Sequence, residues 1–190
     1  MSKVISLEQA VSMIPDGATV GIGGFIGCGH PQEFSVGIEE RFLKSGHPRD
    51  LTIMFSAGIG DGTDKLGLNK IGHEGLLKRI IGGHWGLIPK LQRLVFENKV
   101  EGYNLPLGTI SLMFREIAGH RPGVITKIGL KTFVDPRLEG GKMNERTKEC
   151  NFYPIAGADE QSAMRAAEGE LQQYGYKASF PSLIDIDGVP

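Results

Sequence analysis

Residues 16–31, DGATVGIGGFIGCGHP, constrain this chain more than any other stretch. They read as a short strand, Thr19-Val20-Gly21-Ile22, then a glycine-rich turn and the start of a helix. Gly23, Gly24, Gly27 and Gly29 occupy the turn. Pro31 suits the first helical position, where a missing N–H costs nothing. Such a turn can bring bare backbone N–H groups against a ligand at the positive end of a helix. The same composition also makes a plain structural turn, so it leaves both roles open. It does not make a dinucleotide fingerprint, which needs G-x-G-x-x-G. Counting from Gly21 the third glycine would fall on Ile26, and from Gly27 on Gln32.

The 190 residues are 40% hydrophobic with a net charge of −1, which fits one domain with a real core. A domain of this size buries roughly 70% of its unfolded surface. The balanced charge gives no reason to expect nucleic acid or an anionic membrane as a partner. No apolar run approaches the ~20 residues that span a bilayer, and the first ten residues lack the apolar core of a signal peptide. Cys28 and Cys150 make no disulfide framework, so a reducing cytoplasm is the expected location.

Strand-like and helix-like segments alternate along the chain. Ser6 and Gln9 have the spacing of a capping box, predicting a helix that ends near Ile14. Phe34, Ile38 and Phe42 recur at helical spacing, and Gly46 stops that helix. Residues 51–55 are too apolar along their length for a strand with one wet face, as in a central strand. Further strands are expected at 78–81, 100–103 and 124–128, and further helices around 91–95 and 110–117. The alternation predicts an α/β fold with a mainly parallel sheet covered on both faces.

Most candidate catalytic groups carry little signal. His73-Glu74 begins an H-E-x-x-H pattern, but the fifth residue is Leu77, so a zinc helix has no support. Cys28-x-His30 lacks two further ligands, and no metal is expected. Glu8, Glu33, Glu39, Glu40 and Glu97 read as solvated helix faces. Asp61 and Asp64 read as turn residues. His30, at a helix start, is expected to pack or cap in its neutral form.

Several stretches in order carry a resemblance. They are Asp16-Gly17 followed by Gly23-Gly24-Phe25-x-x-x-Gly29-x-Pro31, then HEGLLKR (73–79), GGHWG (82–86), TFVDPR (132–137) and GGKMNERTKE (140–149). Together they resemble the N-terminal half of the class I coenzyme A transferases, in the branch that uses acetate, propionate and other short-chain acyl groups. One strand position departs: Gly21 stands where an aliphatic residue is usual.

The resemblance implies a three-layer α/β/α fold and transfer of coenzyme A between carboxylic acids. A carboxylate nucleophile suits that chemistry, because acyl-CoA, anhydride and enzyme thioester exchange bonds of similar kind. Preorganised donors must then stabilise the oxyanions. In the family the nucleophile is a Glu of a second half. No glutamate of residues 1–149 lies in that motif, so no catalytic residue is assigned here. Coenzyme A enters as a thioester substrate, with no separate cofactor. This half would supply a substrate-binding wall from Gly23, Gly24, Phe25 and Gly29, with a second loop at 104–109 containing Leu107 and Gly108. The family commonly has Gln where Leu107 stands, and leucine offers no donor. The implied partners are short-chain acyl-CoA and carboxylates, the complementary C-terminal or beta half, and further copies in an oligomer.

The resemblance covers residues 3–149 and then stops. Residues 150–190 form an atypical tail, with an Ala/Glu/Gln-rich stretch at 158–174 of helical composition. A truncated or frame-shifted gene is the expected origin, and a divergent helix the alternative. Residues 1–149 are then expected to leave an unpaired sheet edge.

Overall fold

The computed structural model describes residues 4–119, 124, 126–135 and 138–148. Within them the order is α1 (Leu7–Ser12), β1 (Thr19–Gly21), α2 (Gln32–Ser45), β2 (Leu51–Phe55), a 3-10 helix (Gly67–Ile71), β3 (Leu77–Gly82), α3 (Pro89–Phe96), β4 (Glu101–Asn104) and α4 (Leu107–Ala118). The tail, including 158–174, and the division at 149/150 lie outside the described residues.

Local chemistry sets several of these boundaries. Ser6 and Gln9 complete the capping box: the Gln9 amide donates to Ser6 Oγ at 3.1 Å and the Ser6 amide to Gln9 Oε1 at 3.0 Å. Gly46 ends α2 in the left-handed conformation, φ +73°, a geometry that side chains resist. Pro31 caps α2 from outside, so Gln32 takes the first helical position expected for Pro31.

All four strands are parallel and lie in the order β1-β2-β3-β4. Right-handed crossovers between successive neighbours place the connecting helices on one face. Leu51, Ile53 and Phe55 point to that face, where with Val11, Ile38, Leu91 and Val95 they form the core. The Arg41 guanidinium ties α2 to α1 by donating to the carbonyls of Val11 (2.7 Å) and Ile14 (2.9 Å). Helix α4 crosses the opposite face. Val20 and Ile22 join the core, so Gly21 faces the other way, where the Phe114 ring fills its missing side chain. A Cβ at 21 would lie 2.8 Å from Phe114 Cε1. This explains why position 21 departs from an aliphatic residue. The layers are therefore α/β/α, with α4 alone on the second face among the described elements.

One sequence expectation changes, and one flank of the sheet proves to be closed. None of the described residues within 124–128 is in a strand. The Thr126 hydroxyl accepts the Ile128 amide at 3.1 Å, the Leu130 amide reaches Lys127 O at 3.3 Å, and Gly129 has φ +89°. Local bonds of this kind compete with a strand ladder and win. Of the two flanks of the sheet, the one at β4 is covered. The Asn104 amide donates to Gly141 O at 2.8 Å and the Met143 amide to Gly102 O at 2.9 Å. The Gly102 amide donates to Thr147 Oγ1 at 2.9 Å, and Asn144 Nδ2 holds the carbonyls of Val95 and Val100. Residues 141–147 therefore serve as a clasp along β4. At the opposite edge, β1 is only three residues long.

Candidate functional site

Parallel strands bring their carboxyl ends to one edge, where open α/β sheets bind ligands. Four connections leave that edge: 22–31, 56–66, 83–88 and 105–106.

The first connection is shaped by a tight turn. Phe25 and Cys28 exchange backbone hydrogen bonds of 3.0 and 2.8 Å. Ile26 sits at φ +56°, an outlier for a β-branched residue and a mark of strain held by its surroundings. Two bonds hold it. The Ile26 amide donates to Gly58 O at 2.8 Å, and the Gly60 amide donates to Ile26 O at 3.0 Å. The glycine turn is thus zipped to the connection after β2. A pocket of about 240 Å³ opens between Ile26, Gly27 and His30 on one side and Gly60, Leu66 and Gly67 on the other.

The predicted residues of this turn stand where a ligand can reach them. A Cβ at Gly23 or Gly29 would meet nothing within 4 Å, and Phe25 is 59% exposed. Gly24 differs. Its φ is +139°, and a Cβ there would lie 3.2 Å from the His30 Cβ. His30 backs the turn, with its Nε2 3.1 Å from Ser35 Oγ. Burial lowers its pKa from the ordinary imidazole value. The neutral form is favoured as expected, but by burial.

The second predicted patch lies at the start of α4. Leu107 is its first residue and is 45% exposed. Gly108 follows, and a Cβ there would meet nothing within 4 Å. The stretch 104–109 is therefore a short link, with 107–109 already helical rather than loop. Ser56 Oγ donates to Leu107 O at 2.8 Å and lies 3.2 Å from Ser111 Oγ. A Cβ at Gly83 would collide with Ser56 O and sit 2.9 Å from Leu107 Cγ. Both predicted patches are thus attached to the segment Ser56–Gly60. From the sequence only Asp61 and Asp64 stand out near that segment, as turn residues. Its signal was the glycine spacing at 58, 60 and 62 directly after a central strand.

The other candidates are engaged in structural contacts, Asp61 at the pocket rim and Glu39 and Glu74 elsewhere. Glu39 is not a solvated face: its side chain is 16% exposed. It sits 2.7 Å from His73 Nε2, 3.6 Å from Lys70 and 3.7 Å from Lys90, linking α2, the 3-10 helix and α3. Glu74 instead pairs with Lys99 at 3.3 Å. Asp61 accepts the amide (2.9 Å) and hydroxyl (2.6 Å) of Thr63. Those bonds lower its pKa and make it a turn residue. Among the described residues no cluster of three His, Cys, Asp or Glu side chains is placed to hold a metal ion. No helix among them is long and apolar enough to cross a membrane.

The fold and the edge define an α/β protein whose glycine-lined wall sits at the carboxyl ends of a parallel sheet. Residues 4–170 match the coenzyme A transferase family, and the chain belongs to it. Caffeate CoA-transferase of Acetobacterium woodii is 45% identical over 149 residues, 78% of this chain and 28% of that protein. The alpha subunit of acetoacetyl-CoA:acetate/butyrate CoA transferase from Clostridium acetobutylicum is 31% identical over 134 residues, covering 70% of this chain and 58% of the subunit. The acyl-CoA transferase YdiF of Escherichia coli O157:H7, solved as a thioester complex with CoA, superposes with a TM-score of 0.73 at 39% identity. That match covers 76% of this chain and 28% of the YdiF chain. The chain thus corresponds to the N-terminal or alpha portion of the family and spans 28% of the caffeate enzyme's length.

Proposed function

We propose that this chain supplies the substrate-binding wall of a transferase that moves coenzyme A between short-chain carboxylic acids. The nucleophilic glutamate comes from a complementary C-terminal or beta half, and the chain alone does not turn over. The thioester enters as substrate and no further cofactor takes part. The assembly is an oligomer of the cytoplasm. The substrate-binding wall lies within residues 1–149.

The carrying observation is the pairing of family membership with the wall itself. Gly23 and Gly29 leave backbone open to a ligand, and both predicted patches are fastened to the segment after β2. Donors fixed in this way need no reorganisation as an oxyanion forms. The clasp over β4 and the half-buried Glu39 network tie the sheet and helices behind the wall together. Two alternatives, a non-catalytic CoA-binding domain and a sugar-phosphate isomerase relative, have no comparable support among the relatives.

The test is reconstitution. The purified chain is mixed with a C-terminal half carrying the nucleophilic glutamate, and CoA transfer from acetyl-CoA to propionate is followed. The expected result is transfer only in the mixture. Turnover by the chain alone would require a nucleophile within it and would overturn the proposal. Tight CoA binding with no rescue by the partner would favour a binding domain.

A further inference from the structure

Four histidines are described, and three are paired. His30 meets Ser35, His47 lies 2.8 Å from Asp16 Oδ2, and His73 lies 2.7 Å from Glu39 Oε1. His84 is the exception: it is exposed and has no hydrogen-bond or ion-pair partner among the described residues. Its position is nevertheless tightly set. The ring lies between two glycines. A Cβ at Gly58 would sit 2.5 Å from His84 Nδ1, and one at Gly86 would sit 3.4 Å from His84 Cε1. Any side chain at 58 would displace the imidazole.

The next residue anchors the turn. Trp85 is buried, donates from Nε1 to Gly82 O at 3.3 Å, and meets the Phe55 ring edge-on at 5.8 Å. Gly83, on the other side, is pressed against Ser56 O and Leu107. The connection after β3 is therefore fixed into the sheet on both sides of His84, while the imidazole itself stays in solvent at the carboxyl edge. It lies beside Gly58, which holds the strained Ile26, and one residue from Gly83, which packs on Leu107. An ordered, unpaired imidazole between the two halves of the wall has donor capacity that the protein does not use.

We propose that His84 contacts the substrate, its ring N–H donating to an oxygen of the acyl group, as the thioester carbonyl or the free carboxylate. This rests on the transferase reading above. Leu107 then offers apolar surface to the acyl carbons, and His84 provides the polar contact that a leucine cannot make.

The experiment follows the histidine-ring and glycine-amide NMR signals of the full chain while acetyl-CoA, free CoA or propionate is added. The expected result is a saturable shift of the His84 ring with acetyl-CoA and with propionate, and a weaker one with free CoA. The rings of His47 and His73 should stay in place. His84→Ala should weaken acetyl-CoA binding about tenfold, and His84→Gln, which keeps a donor, should stay within about threefold. If acetyl-CoA moves the Gly23 and Gly24 amides but not the His84 ring, the inference fails and the transferase reading stands. The same holds if His84→Ala binds like the parent. A ring shift equal for free CoA and acetyl-CoA overturns the assignment to the acyl group. Silence at both places overturns the inference and the reading together.

Discussion

Two sets of glycines near the carboxyl edge behave as different materials: Gly23, Gly27 and Gly29 in the first connection, and Gly60, Gly67 and Gly82 in or bordering the second and third. At Gly23, Gly27 and Gly29 an added Cβ would meet nothing within 4 Å. At Gly60 and Gly67 it would strike the backbone carbonyls of Leu87 and Ile59, and at Gly82 the ring of Phe55. The first group leaves room outside the protein, and the second removes room inside it. Glycine richness alone therefore does not mark a ligand site. What separates the two uses is the neighbour that a side chain would meet.

The largest test of this comparison is Gly67→Ala. The residue has φ +65° and faces Ile59 backbone that cannot swing aside. The expected loss is about 3 kcal/mol or more, from combined strain and overlap, read from a urea unfolding curve. A loss under about 0.5 kcal/mol would erase the distinction between the two groups.

Gly23→Ala is the counterpart. Its φ is not in the left-handed range and its surroundings are open, so unfolding should change by less than about 0.5 kcal/mol. Acetyl-CoA affinity should fall about tenfold as a methyl group blocks the backbone donors. Gly24→Val is a poorer probe, since φ +139° and the nearby His30 mix strain with any ligand effect. Unchanged affinity with unchanged stability in Gly23→Ala would return the turn to a purely structural role.

The smallest effect concerns His30, where the open turn touches the packed interior. Its folded-state pKa lies below the ordinary 6.5. The unfolded chain therefore takes up the proton first as pH falls, and stability is full above that value and declines as pH drops through the folded one. Urea midpoints at about pH 7.5 and about pH 5.5 should show a steeper decline for the parent than for His30→Gln. Parallel declines would place the acid sensitivity elsewhere.

Much of the scaffold was legible in the sequence because it rests on local signals. The capping box at Ser6, the stop at Gly46 and the apolar run at 51–55 all stand where periodicity and capping chemistry put them. The strands expected at 78–81 and 100–103 are Leu77–Gly82 and Glu101–Asn104. The misses have two causes, one distant and one local. Glu39 looked solvated on its own helix, but its partners lie 31, 34 and 51 positions away, on other elements. The Ile26 strain is held by Gly58 and Gly60, more than thirty positions along the chain. The strand expected at 124–128 had the right composition, yet a threonine hydroxyl two residues from Ile128 offered a nearer partner. At the candidate site the sequence identified open glycines, but the segment that fastens both patches needed three dimensions.

The clasp of residues 141–147 also gives the sheet a direction. Its hydrogen bonds occupy the outer side of β4, so a strand from another molecule would have to displace them to add there. Among the described residues the remaining flank is β1, a template of three residues. Lateral growth of this sheet is thus closed at one margin and offered only a brief foothold at the other, which makes any joining of strands between molecules a polar process that begins at the amino-terminal side.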